Sequence, residues 1–324
     1  MRIRLPSFAP APPDVKPAHR ALVRRVVTTL FLIAVVLLAT QQVWTRRGAL
    51  RQSLASIALP ELGISWVLAG AAVFVTMLAW REVLAALGAR LSVPEGSRIF
   101  FLGQLGKYLP GSVWPLIAQA ELARRTGTKR SVTVAGNLVA VAASLAVAIL
   151  LGSGLLPFIS PHVFDRFWWL LLALPVLLVC LHPRIITWGL NRLLTLARRP
   201  PLPEDMDARL LFKAVALSLL SWLLLGAHIC VLTAALSHHL SVEVFAASVG
   251  GMALATAAGL LFLPAPAGVG VREVALTLAL SPILTTDQAL SIALLSRVAL
   301  IFVDFVLGLA QVLIGRLRGA DVTP

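Results

Sequence analysis

Apolar residues fill six long stretches of the chain, at about 26–44, 64–87, 131–152, 167–183, 210–236 and 287–315. Crossing the hydrocarbon of a bilayer takes about 20 predominantly apolar residues in a helix, so each stretch predicts a transmembrane span. Two further apolar stretches, 96–122 and 244–281, are interrupted at mid-length. The first breaks at Leu109-Pro110-Gly111-Ser112-Val113, the second at Pro264-Ala265-Pro266-Ala267-Gly268-Val269-Gly270. Proline removes a helical donor and clashes with the preceding turn, and glycine favours a helix end. Each interrupted stretch therefore predicts a hairpin of two short helices.

The polar residues gather between these stretches. Residues 1–25 are rich in proline and basic side chains and predict a disordered tail; 26–318 reads as one transmembrane domain, and 319–324 as a short second tail. The Val26–Trp44 run is long for the apolar segment of a signal peptide, and no small-x-small site follows it, which predicts a retained first span.

Composition narrows the class. The chain has 324 residues, 59% hydrophobic and 13% charged, with a mean hydropathy of +0.91. Soluble domains carry about 45–50% apolar and about 25% charged residues, so a soluble fold is excluded. The net charge of +14 sits in short segments between spans, as positive-inside topology requires, and not in a domain that could grip nucleic acid. Cys180 and Cys230 both lie in apolar runs, and no CxxC pair or disulfide framework is present.

Orientation follows from the basic residues. With the tail inside, Arg90, Arg98, Arg124, Arg125, Lys129 and Arg130 fall on the cytoplasmic side, as do Arg184, Arg192, Arg198, Arg199, Arg209 and Lys213. The loop 153–165 has neither Lys nor Arg; Arg46, Arg47 and Arg51 in the first outer loop run against the rule. Arg316 and Arg318 place the C-terminus inside as well. The interrupted stretches must then leave from and return to opposite faces: two re-entrant hairpins. Pro110 and Pro266 are 156 residues apart, as are positions 131 and 287, where the following spans begin. This predicts an inverted repeat of units 64–152 and 210–315. The expected fold is an all-α polytopic membrane protein with about six transmembrane helices and two re-entrant hairpins. Paired Gly/Pro-interrupted segments in two halves point to a transporter substrate site, because the freed backbone groups must line a polar cavity and half-helix N-termini favour anions.

At these breaks the sequence resembles the lysylphosphatidylglycerol synthase transmembrane-region family, the flippase-like part of bacterial multiple-peptide-resistance-factor proteins. The resemblance rests on the segment from Phe101 to Trp114 with Arg124, Arg125 and Gly127, and on Pro266-Ala267-Gly268-Val269-Gly270-Val271-Arg272-Glu273 with Ser296-Arg297. It covers about 64–315. Pro-Ala-Gly stands here where the family commonly has Pro-Gly-Gly, and Trp114 and Pro115 replace a glycine and a glutamate, which separates Glu121 from the family's pattern. The resemblance implies a bacterial inner-membrane lipid translocator, and with no residue after 324, a stand-alone module without the soluble aminoacyl-transferase domain. The expected substrate is an anionic phospholipid or a polyprenyl-linked headgroup, and the expected partners are membrane lipids, a second copy or a separately encoded enzyme. No cofactor, metal or catalytic residue is expected.

Ionisable groups at membrane depth cost about 2.5–3.5 kcal/mol or more each, so they face a cavity or a partner. Arg297 and Asp304, seven residues apart, share one face of the last span; Arg297 reads as a phosphate ligand or as a structural partner of Asp304 or Glu273. Arg272 and Glu273 read as a headgroup-reading pair, with Glu273 alternatively a helix cap. Lys107, beside the chain's one tyrosine, Tyr108, binds phosphate or snorkels to the interface. With Pro110, Gly111, Glu121, Pro266, Gly268 and Gly270, these complete the candidate substrate site. Glu121 and Glu273 could instead form the carboxylate pair of a membrane-embedded transferase. His228 reads as a core histidine, and His238 and His239 lack a third ligand at metal spacing.

Overall fold

The computed structural model describes residues 44, 47–108, 113–159, 165, 168–172, 175–176, 179, 182–196, 206–262, 268 and 270–317. The compact unit Thr45–Pro324 holds ten α-helices among its described residues: α1 Arg47–Ala55, α2 Leu59–Ala86, α3 Val93–Gln104, α4 Trp114–Arg124, α5 Arg130–Leu155, α6 Pro183–Leu196, α7 Ala208–Ser237, α8 Val242–Leu261, α9 Val271–Leu280 and α10 Thr286–Leu317. No strand occurs among the described residues. Short 3-10 turns cover Leu105–Tyr108, Leu156–Phe158 and Trp168–Leu172.

Sequence-encoded caps start these helices. Ser92 and Glu95 form a capping box on α3, with the Ser92 N–H donating to Glu95 Oε2 at 2.9 Å. Asp207 Oδ1 accepts from Arg209 N at 2.9 Å to open α7, Ser241 opens α8, and Thr285 with Gln288 opens α10. Each cap satisfies donors that no helical carbonyl reaches and is worth about 1 kcal/mol.

Five helices are long and apolar enough to cross a bilayer: α2, α5, α7, α8 and α10. Four of them match predicted spans. The runs at 26–44 and, for the most part, 167–183 lie outside the described residues. The fifth helix, α8, differs from expectation. The interrupted pattern predicts half of a short hairpin here, yet the helix runs 20 residues because the proline break comes only after Leu261. Two-thirds of its apolar window (67%) is buried inside the protein, so its surface meets other helices more than lipid.

The interior combines large side chains such as Met77, Leu84, Ile229 and Met252 with many small ones, while large apolar side chains also cover the exterior. Ala69, Ala72, Ala246, Ala247, Ala253 and Ala289 are fully buried, while Phe74, Phe212, Phe302, Phe305 and Leu309 face outward. Lipid tails reward no apolar burial, so membrane helices gain by close backbone approach and interhelical hydrogen bonds. A methyl on Gly103 of α3 would stand 2.3 Å from Gln119 Cγ of α4, and one on Gly226 of α7 would stand 2.5 Å from the Val249 Cα of α8. Polar links join α2 to α7: Thr76 and Ser221 hydroxyls lie 2.7 Å apart, and Ser221 Oγ donates to Ala72 O at 3.0 Å. Around this pair, α3 and α4 pack on each other, as do α8 and α9; α4 packs on α5 and α9 on α10; α3 reaches α10 and α8 reaches α5.

Candidate functional site

The last helix gathers the charges. Asp304, on α10, is buried, and its Oδ2 receives both Lys107 Nζ at 2.6 Å and the Tyr108 hydroxyl at 2.5 Å. Lys107 and Tyr108 come from the 3-10 turn that tightens the end of α3. The Tyr108 ring stacks on Phe305 with centroids 5.4 Å apart. One turn further along α10, Gly308 leaves room for Leu105: a Cβ there would lie 2.9 Å from Leu105 Cδ1. The first hairpin is thus seated on α10 by a small residue and held by a buried carboxylate.

Two turns earlier on the same helix, Arg297 holds the second hairpin. Its guanidinium donates to Glu273 Oε1 at 2.6 Å, and Glu273 Oε2 accepts from Gly270 N at 2.7 Å. Glu273 therefore both caps α9 and pairs with Arg297: the cap that the sequence offers as the alternative to a headgroup-reading pair with Arg272, and the structural partner it offers as the alternative to Arg297 as a phosphate ligand. The approach to α9 needs glycine. Gly268 has φ +68° and Gly270 φ +87°, and a side chain on Gly268 would stand 2.8 Å from Gly259 Cα; both the backbone angle and the contact exclude larger residues.

Arg272 lies between these pairs and belongs to neither. Among the described residues its hydrogen bond is to Met252 Sδ at 3.5 Å, and it forms no ion pair. Tyr108, Glu273, Arg297 and Asp304 are all within electrostatic reach of it, and Lys107 in turn feels Arg272 and Arg297. Both hairpins and α10 thus feed one cluster of three cations, Lys107, Arg272 and Arg297, and two carboxylates, Glu273 and Asp304. A guanidinium carries five donors, and sulfur is a weak acceptor for any of them.

Glu121 takes no part in the ion pairs of this cluster. It pairs at 3.0 Å with Arg124 and also with Arg130, on side chains that are exposed. Those two guanidiniums, Arg124 first, hold its carboxyl below the usual range. Glu121 and Glu273, the pair an acid/base transferase would use, have separate partners. Pro110, Gly111 and Pro266 lie outside the described residues. No group of three or more His, Cys, Asp or Glu that could hold a metal occurs among the described residues.

A family model described as the lysylphosphatidylglycerol synthase TM region matches residues 25–308. The chain belongs to this family. No curated protein matches it significantly. As a lysylphosphatidylglycerol synthase TM-region protein it has a membrane-lipid-related role, and its five apolar helices make it a multi-pass membrane protein. The matched region contains both hairpins and Asp304, so every charged group of the cluster falls within the family's extent.

Charge and breaks alone miss one buried contact near the cluster. His228 Nδ1 lies 2.6 Å from Ser65 Oγ and 2.9 Å from Ser65 O, while its Nε2 has no partner among the described residues. The 156-residue spacing, carried over the whole chain, finds it. Ser65-Trp66-Val67-Leu68-Ala69-Gly70 returns as Ser221-Trp222-Leu223-Leu224-Leu225-Gly226, and Gly103 and Gly152 return as Gly259 and Gly308. The contacts return too: Ser221 bonds the carbonyl of Ala72, and Ser65 bonds the residue 156 positions beyond Ala72, which is His228.

Proposed function

We propose that this protein carries the headgroup of an anionic lipid, a phospholipid or polyprenyl-linked species, between the leaflets of the bacterial inner membrane, with both termini cytoplasmic. The observation that carries this reading is that α10 presents Arg297 and Asp304 to two different hairpins, with Arg272 in reach of both and without a carboxylate of its own. A headgroup phosphate supplies the missing acceptor, since guanidinium binds phosphate oxygens two at a time. Lys107 and Arg297 already have carboxylate partners, which a phosphate displaces in turn. The acyl chains stay in lipid, along the outward-facing apolar residues.

The packing supports an inverted repeat as the moving frame. Pairing α2 with α7, α3 with α8, α4 with α9 and α5 with α10, each main helix contact in one half has its counterpart under exchange: α3 on α10 answers α8 on α5, and α2 on α10 answers α7 on α5. Gly152 accommodates Leu254 as Gly308 accommodates Leu105. Rocking of one such unit against the other opens a shared site to alternate faces. Reconstitution in vesicles with labelled phosphatidylglycerol tests the reading. Movement between leaflets above that in protein-free vesicles, reduced in Arg297→Ala, is the expected result; transfer no faster than in empty vesicles refutes it.

A further inference from the structure

We infer that His228 is the site of a driving ion: it binds one proton with each headgroup, so that a pH difference across the membrane powers the movement. The inference rests on the headgroup-transport reading above and adds its energy source. It starts from a difference between the halves. At the 156-residue spacing Ser65 answers Ser221, and Ala72 answers His228. Ser221 is anchored without an imidazole, by the Ala72 carbonyl at 3.0 Å and the Thr76 hydroxyl at 2.7 Å. Ser65 meets an imidazole instead, 2.6 Å from Nδ1. One half thus holds this joint with an alanine, so the histidine of the other half does more than hold it. Both Ser65 and His228 are fully buried. Whichever tautomer is present, Nδ1 faces Ser65 and Nε2 has no partner among the described residues. Buried polar groups are ordinarily satisfied, and an imidazole nitrogen left open can take a proton.

The helices packed on α7 are α2, α5, α8 and α10. Between Ser131 and Leu155, α5 has no ionisable side chain, and α8 has only Glu243, in its first turn. From α2 come Glu61 and, further along, Arg81 with Glu82; α10 brings Arg297 and Asp304, with Asp287 and Arg316 near its ends. α7 itself adds Cys230 and, near its start, Arg209 and Lys213. The charge that reaches His228 is that of Arg272, on α9. A proton on Nε2 and the Arg272 guanidinium repel each other, and a headgroup anion beside Arg272 attracts both. Proton and headgroup therefore tighten each other's binding, by the same factor in each direction.

A way in adjoins the pair. A cavity of about 590 Å³ is lined by Glu61 of α2, by Ala227, Cys230 and Val231 of α7, and by His238 and His239 beyond it. Ala227 precedes His228 in the chain, and Glu61 lies one turn from Ser65 on the same face of α2. His238 and His239 are exposed, on the outer side in the orientation proposed above. A proton from outside passes these titratable side chains to reach Nε2, and leaves Nε2 inward with the headgroup when the units rock.

Two measurements on the full chain test this. In weakly buffered neutral detergent, binding of dioctanoyl phosphatidylglycerol is expected to take up close to one proton per lipid. Because the complex then holds one proton more than the free protein, affinity rises as pH falls, by up to about tenfold per pH unit. His228→Ala, which copies the other half, loses both effects; His228→Asn carries the test if the alanine protein does not fold. In vesicles with an imposed pH difference, labelled phosphatidylglycerol gathers in the leaflet facing the alkaline side with wild type and does not with the variant. Glu61→Gln, which keeps an acceptor for Ala58 N, slows that response; a response as fast as wild type overturns the cavity as the way in. Lipid binding without proton uptake, or uptake unchanged in a folded His228 variant, overturns the inference. Movement that ignores the pH difference overturns the coupling and leaves translocation standing. Proton uptake through His228 without movement between leaflets supports the proton site and counts against translocation alone, and no lipid binding at all refutes both.

Discussion

The two halves of this protein share a scaffold and differ in charge. At the 156-residue spacing the first half has Leu116, Ile117, Val141 and Ala148 where the second has Arg272, Glu273, Arg297 and Asp304. What the halves keep in common is the serine, tryptophan and small residues that let helices approach. Trp66 packs on Phe302 of α10 at 5.0 Å, and Trp222 donates to Ser144 O of α5 at 3.0 Å: the same residue type, each reaching the other half. Shared positions build the frame, and the positions that diverged build the chemistry. The first half supplies Lys107 and Tyr108 from the 3-10 turn that ends α3, and these meet the second half's Asp304. The site is therefore asymmetric although its frame is paired.

This contrast can be broken most sharply at its charged end. Arg297→Ala leaves Glu273 buried without its cation, and breaking such a pair costs about 3–5 kcal/mol. The matching Val141→Ala, on a half-exposed side chain, is expected to stay within about 0.5 kcal/mol. Thermal melting in detergent compares the two, and equal losses would remove the distinction between the halves. Next is Gly268→Ala, which forces a positive φ on alanine and pushes a methyl into Gly259; about 1–3 kcal/mol is expected, with translocation impaired. Frame positions should behave alike in both halves. Gly152→Ala and Gly308→Ala each press on a leucine, at 2.4 and 2.9 Å from the new methyl, and about 1–3 kcal/mol is expected for each, the larger at Gly152. A neutral result at one and a severe one at the other would argue against a repeated frame.

The smallest effect is expected at Glu121. Its carboxyl titrates below the usual range through Arg124 and Arg130, so these exposed pairs persist as pH falls to the ordinary carboxylate value and open only below it. Glu121→Gln is expected to leave melting and translocation at wild-type values.

Much of this was legible in the sequence because a bilayer leaves few options. Four spans, the positions of both breaks, and the cluster members Lys107, Tyr108, Arg272, Glu273, Arg297 and Asp304 follow from run length, proline and glycine, and the cost of charge in hydrocarbon. The pairing scheme was not legible. Arg297 and Asp304 share one helical face, and nothing in their spacing says that each looks to a different hairpin; that depends on which elements pack on α10. Nor did the pattern give the length of α8, since an apolar run before a proline reads the same whether it faces lipid or the protein interior. His228 reads as a core histidine and is buried, but its partner Ser65 was not legible, because a serine in an apolar run carries no charge signal and only the repeated Ser-Trp-x-Leu-x-Gly places it.

Both helix pairs depend on α10, and α10 leaves the ribosome after both of them. Until it enters the bilayer, Lys107, Tyr108 and Glu273 lack the partners that α10 provides, so segments made earlier wait for one made later. Assembly of the cluster is therefore settled only once α10 is in place. A chain stopped before Thr286 would hold two unpartnered polar hairpins in the membrane and would be a target for proteolytic clearance.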